Sequence, residues 1–195
     1  AVNYNGVEFT ALDGTGENGE GENYEKLLDG KKTSSNPSKW CDKIGLINGI
    51  EYIPYIIFKA SQKIIITDYN FITGNDNKSW LGRNPKDWVL YGCNDYDEEN
   101  KTGGTWDAIH TVTDNTVMQN VNFTSYNFKI DDNDKMYQYY KLVILKNQLV
   151  NGTTRDTMQL GEMEINWTVA NYVTFDKNGG ETEASPQTIK WGKGF

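Results

Sequence analysis

Residues 82–95, GRNPKDWVLYGCND, decide the fold class. Within them, 87–93 alternate: Trp88, Leu90 and Gly92 fall on one side of an extended chain, Val89 and Tyr91 on the other. A period of two marks a strand with two distinct faces. Polar loops bound it, GNDNKSWLGRNPK at 74–86 and a Gly-containing stretch at 94–104.

Working outward, KIIITDYNFIT at 63–73 predicts the clearest strand of the chain. Ile64, Ile66, Asp68, Asn70 and Ile72 share one parity, and Ile65, Thr67, Tyr69, Phe71 and Thr73 the other. Both sets carry apolar residues, so this strand is expected to be buried on both faces for much of its length. A separate apolar stretch, IEYIPYIIFKA at 50–60, contains Pro54, which predicts an edge position or a bulge. Further strands are expected at 7–12, 105–113, 121–130, 137–147 and 157–168, with a short helical turn at 24–28, an Asp29-Gly30 turn and a loop at 31–39. The spacing of strands and turn signals suits an antiparallel sandwich. Trp40, Trp88 and Trp106 lie in strand patterns and are expected in the core, as are Tyr137, Tyr139 and Tyr140 in core and rim packing.

Composition agrees. Twelve Tyr, six Trp and 19 Gly, without long Ala/Leu/Glu/Lys blocks, are the palette of strands joined by turns. The net charge of −8 argues against nucleic acid and anionic membranes as partners. No apolar run approaches the roughly 18 residues of a membrane span, so no membrane insertion is expected. Cys41 and Cys93 are open to two readings, one bridge or two buried thiols, and no Cys/His spacing suggests zinc. Catalysis has little support: no GxSxG, HExxH or P-loop is present, and His110 in DAIHTV reads as a satisfied strand residue. The Gly-rich stretch at 14–21 is interleaved with Glu, which repels phosphate.

The body, about 5–168, resembles the discoidin family, the coagulation factor 5/8 type C domains of galactose-binding-like fold. The motifs stand in the family's order: YEKLLDG at 24–30, SKWC at 38–41, TDYNFITGND at 67–76, GRNPKDWVLYGCND at 82–95, TWDAI at 105–109, YYKLVILKN at 139–147 and MQLGEMEI at 158–165. The resemblance implies an all-β, eight-stranded antiparallel jelly-roll β-sandwich over residues 1–168. It also implies a non-catalytic carbohydrate-binding accessory module of a larger secreted protein, with a glycan as partner; the alternative is a structural spacer or protein-interaction module that has lost the sugar pocket. Residues 169–195 change character. YVTFDKNGGETEASPQTIKWGKGF is similar to part of the Listeria–Bacteroides internalin-type repeat. That likeness implies a short β-hairpin-like tail, a continuation beyond Phe195, and an extracellular place on a bacterial surface protein. The chain is expected to be a monomer.

The discoidin resemblance also implies a structural calcium between the DG turn and the last strand. Asp29 and Glu162 would supply carboxylates, and Leu27, Lys31, Ser34 and Gly161 backbone carbonyls, toward the six to eight oxygens calcium takes. Strand parity places Leu160, Glu162 and Glu164 opposite Met163, Ile165 and Trp167, so the carboxylates are expected to leave the apolar face. Two features depart from the family: Lys31 stands where a second acidic residue is common, and the span from Gly30 to Trp40 is longer. For sugar, family members commonly use a His, an Arg and an Asn. Here Asn75 takes roughly the Arg place, Arg83 belongs to the RNP motif, which reads as structural, and His110 lies on a later strand. The expected ligand surface is instead Trp80 with Asn75, Asp76 and Asn77, an aromatic platform beside polar side chains.

Overall fold

Tyr55–Ile72 form one strand of 18 residues in the computed structural model, which describes residues 1–17, 21–173 and 187–190. The sequence predicts two separate segments here. The polar residues Ser61, Gln62 and Lys63 are exposed, but the chain stays extended through them and the two segments join. Pro54 stands just ahead of the strand, and its carbonyl accepts from the Ile144 amide at 2.9 Å.

The main strands are β1 (Val2–Tyr4), β2 (Val7–Gly14), β3 (Trp40–Lys43), β4 (Tyr55–Ile72) and β5 (Pro85–Cys93). They continue with β6 (Asp107–Val112), β7 (Ser125–Lys129), β8 (Tyr137–Asn147), β9 (Thr157–Leu160) and β10 (Glu162–Thr168). The first half of β4 pairs with β2 and β8 in the order β1-β2-β4-β8-β5-β6, and its second half pairs with β7 and β10. All these ladders are antiparallel, and the eight strands form the expected β-sandwich. β3 and β9 pair separately.

The strand changes ladders between Lys59 and Ile64, where the register with β8 shifts. Carbonyls in a bulge lose their ladder partners and need others. Side chains supply them here. Gln138 donates to the Ala60 carbonyl at 3.2 Å, Asn133 to that of Ile66 at 3.1 Å, and Tyr140 to that of Ile64 at 2.8 Å. A second shift, between Ile66 and Asp68, exchanges the parity of the strand. Ile64 and Ile66 enter the main core before it, and Tyr69 and Phe71 after it. Ile65, Asp68 and Ile72 are buried as well, so burial on both faces holds. The bulge explains why both parities carry apolar residues.

The core lies between the sheets. Trp88 of β5 meets Phe71 of β4 at 5.1 Å and Phe128 of β7 at 4.9 Å between ring centroids. Trp40 and Trp88 are fully buried, as expected. Trp106 is not in this core. It is half-buried ahead of β6, packing on a satellite cluster of Ile57, Cys93 and Tyr96. Tyr137 and Tyr140 join the main core and Tyr139 the satellite cluster.

Other expectations change at their ends. The strand expected over 121–130 is limited to Ser125–Lys129, and that over 157–168 is broken at Gly161. Gly161 presses on the Ile72–Thr73 backbone, where a Cβ would come within 2.7 Å of the Thr73 carbonyl oxygen, so only glycine fits. The loop expected at 31–39 carries a small ladder, Lys32–Thr33 with Asn36–Pro37. Cys41 and Cys93 are both buried free thiols. In the tail, Ala170–Val173 pair with Gln187–Lys190 as an antiparallel two-stranded ladder, and most of the internalin-like stretch lies outside the described residues. Among the described residues no helix is long and apolar enough to cross a membrane.

His110 is a satisfied strand residue. Trp88 Nε1 donates to the Tyr69 hydroxyl at 2.7 Å, which leaves the hydroxyl proton for His110 Nδ1 at 2.6 Å. Burial holds its pKa below the ordinary histidine value, against a smaller opposing pull from Asp131. The unfolded chain therefore binds the proton first. Stability from this group is complete above a pH of about 6.5 and is lost as pH falls through the depressed folded value. An NMR titration of the imidazole should give a midpoint below that of a free histidine; a midpoint at or above it would contradict the buried pairing.

Candidate functional site

The loop after β4 is built by its own polar residues. The Asp76 carbonyl accepts from the Ser79 and Trp80 amides, each at 2.9 Å, and Asn77 Oδ1 accepts from the Gly74 amide at 2.6 Å. These bonds wind 74–80 into a tight turn and carry Trp80 outward. Gly82, at φ +88°, then reverses the chain. A Cβ there would meet Val150 at 2.5 Å and Arg155 at 2.9 Å, so glycine also permits the approach of the 148–156 segment.

Gln159 of β9 holds this loop. Its amide nitrogen donates to Asp76 Oδ1 at 2.9 Å and Asn77 Oδ1 at 2.7 Å, and its oxygen accepts from Arg83 at 3.1 Å and Lys39 at 3.2 Å. Asn77 Nδ2 donates onward to Asn84 Oδ1 at 2.9 Å. Gln159, Asn77 and Asn84 are fully buried, and their bonding capacity is spent internally. Burial pushes the Asp76 carboxyl up, but its bonds from Lys39 and Gln159 more than offset this and hold it below the usual range.

The four expected ligand residues therefore separate. Asn77 is a correction: it is a buried structural amide with no surface to offer. Asp76 is half-buried in the same network. Asn75 is exposed in a shallow depression beside Lys39 and Pro37. The Trp80 side chain, on a residue 57% exposed, lines a different cleft of about 350 Å³ with Leu81, Arg83, Arg155, Asp156 and Thr157. The Arg83 guanidinium lies 5.0 Å from the Trp80 ring centroid, within cation–π range. Sequence reading placed Arg83 as structural and missed Arg155 and Gln159. No local signal marks them, because the three residues meet only through the pairing of distant segments.

The calcium expectation meets a different geometry at the DG turn. Asn23 Oδ1 caps the 3-10 turn Tyr24–Leu28 by accepting from the Glu25 amide at 3.2 Å. The expected partners Asp29 and Glu162 do come together. However, Glu162 accepts from the Tyr4 hydroxyl, from the Gly30 amide at 3.0 Å and from the Asp29 amide at 3.3 Å. Asp29 accepts from the Lys31 amide at 2.9 Å and the Ser38 hydroxyl at 2.6 Å. A cation needs oxygens directed at it, whereas N–H and O–H groups surround these carboxylates. Glu162 is fully buried rather than turned to solvent, and burial pushes its carboxyl up to about 8. Gly161, between the two strands, donates its amide hydrogen to the Ile72 carbonyl at 2.7 Å. At the rim, Lys32 Nζ already sits 2.5 Å from Glu164. Among the described residues, no group of three or more His, Cys, Asp or Glu is placed to hold a metal. In this arrangement the two carboxylates form a hydrogen-bonded clasp between the turn and β10.

No family model matches the chain, and no curated protein does. Solved structures do. The family 32 carbohydrate-binding module of Streptococcus pneumoniae EndoD matches at 19% identity and a TM-score of 0.53, covering 80% of this chain and 94% of that one. A Clostridium perfringens module, CpGH89CBM32-5, solved with GalNAc-β-1,3-galactose, matches at 15% identity and TM-score 0.51, over 82% and 94%. An F5/8 type C domain from Bacteroides fragilis matches at 9% identity and TM-score 0.55, over 85% and 93%. At these identities the likeness establishes the galactose-binding-like fold.

Two measurements test the site's construction. Gln159→Ala strands several buried polar partners and is expected to cost about 3 kcal/mol in urea unfolding. A loss below about 1 kcal/mol would mean that the loop does not depend on this amide. For the clasp, the melting temperature is expected to be the same in calcium and in chelator. A bound ion at 100 times its Kd would instead add about 2.7 kcal/mol.

Proposed function

We propose that this chain is a non-catalytic carbohydrate-binding module of a larger secreted or cell-surface bacterial protein. The observation that carries the reading is the exposed Trp80 ring on a cleft bordered by planar hydrogen-bonding groups. A sugar ring offers a CH face to an aromatic platform and hydroxyls to the polar rim. A large aromatic side chain held half in water, on a loop fixed by buried amides, is pre-organised for such a ligand. The fold supports the reading, since a structural neighbour carries GalNAc-β-1,3-galactose. Residues 1–168 are the binding unit.

The competing reading, a spacer that has lost its pocket, also has an observation behind it. Asp76 and Asn77 are spent on internal bonds, and His110 is bound to Tyr69 inside the sandwich. A glycan array with the full chain separates the two. Binding that falls at least tenfold in Trp80→Ala, with an unchanged melting temperature, is the expected result. Absence of binding to every glycan would favour the spacer.

A further inference from the structure

The Trp80 cleft carries more charge chemistry than a neutral sugar requires. Arg155 uses only its Nε, donating to the Leu81 carbonyl at 3.1 Å. Its two terminal nitrogens have no hydrogen-bond partner among the described residues, and the residue is exposed. Arg83 donates from one terminal nitrogen to Gln159 and lies against the Trp80 ring. Among the described residues neither guanidinium has a carboxylate within ion-pair distance, although Asp156 borders the same cleft. Two arginines against one aspartate make the cleft locally cationic on a chain of net charge −8.

A guanidinium presents five donors in a planar fork, matched to the two oxygens of a carboxylate. The bond from Nε to the Leu81 carbonyl anchors the Arg155 head at the cleft wall, which lowers the entropy lost when a ligand engages the free edge. Thr157 lines the same cleft, and its hydroxyl approaches Asp156 at 3.3 Å. Asp156 would repel an anion placed beside it, so the favourable seat is at the unpartnered terminal nitrogens of Arg155. The ligand must therefore offer an apolar ring face and, on the same ring, a carboxylate.

We infer that the cleft between Trp80, Arg83 and Arg155 selects an acidic sugar, one whose ring bears a carboxylate, over its neutral counterpart. The inference rests on the carbohydrate-binding reading and names its substrate class. Uronic acids and sialic acids share this chemistry. Nucleic acid is disfavoured by the overall negative charge, which repels a long polyanion even where one cleft attracts a single carboxylate.

The test is calorimetric or NMR titration of the full chain with four probes. Trigalacturonate is compared with its methyl ester, and 3′-sialyllactose with lactose. At least one acid should bind about tenfold or more tightly than its neutral partner, the effect of one charge-assisted fork. The pair that shows the preference identifies a uronic or a sialic acid as the source. The preference should shrink in high salt, which screens an exposed charge. Arg155→Gln should remove most of it, and Arg155→Lys, which keeps the charge but not the fork, should fall between. Both variants should melt with the parent chain, since Arg155 is exposed. Equal binding of acid and neutral probes, or a preference unchanged in Arg155→Gln, overturns the inference while leaving a neutral-sugar module intact. Failure of all four probes, with no hit on the glycan array, overturns both readings.

Discussion

Everything in this molecule depends on one strand serving two sheets. β4 runs for 18 residues, long for a strand, and forms antiparallel ladders on both edges in each half. The cost of such continuity falls at the crossing, where carbonyls leave one ladder before joining the next. An unpaired buried carbonyl costs about 1–3 kcal/mol. Tyr140, Gln138 and Asn133 remove that cost from β8 and the segment before it. The same crossing brings the two sheets face to face and creates the slot that Trp88, Phe71 and Phe128 fill.

The two rim features hang from the far end of this strand. β9 and β10 are one segment broken at Gly161, which lies flat on the Ile72–Thr73 backbone. On one side of the break Gln159 ties down the loop that displays Trp80. On the other, Glu162 receives Tyr4 and the DG turn. A short stretch thus fixes a binding loop and locks the N-terminal region. It does so with fully engaged buried polar groups, which hold their partners in one geometry. Trp80 is left to the solvent while Asp76 and Asn77 of the same loop turn their side chains to Gln159.

Much of the fold was legible in the residues themselves. The alternation through Trp88, Leu90 and Gly92 marked a strand because the period of two is a local property. Turn residues at fixed intervals marked an antiparallel sandwich for the same reason. Joining 50–60 to 63–73 was not legible, because polar Ser61 and Gln62 separate the two apolar stretches and only the pairing of their neighbours keeps them extended. Trp106 was misplaced because a strand pattern does not say where the strand begins.

The candidate site divides along the same line. From the residues, Trp80 stood out as an aromatic in a polar loop, while the discoidin resemblance paired Asp29 with Glu162 across the chain. Which polar groups were free could not be read there. Asn75, Asp76 and Asn77 are adjacent in sequence and chemically alike, but one is exposed, one half-buried and one fully buried. Arg155 reaches the cleft only because a segment distant in sequence is drawn to Gly82. The sequence by itself determined the alternation of faces, the turns and the aromatic payload, since these follow from neighbouring residues. Tertiary structure alone decided which donors and acceptors were consumed and which were left for a ligand. Hydrogen bonds between segments far apart in the chain depend on how those segments meet, which local pattern does not encode.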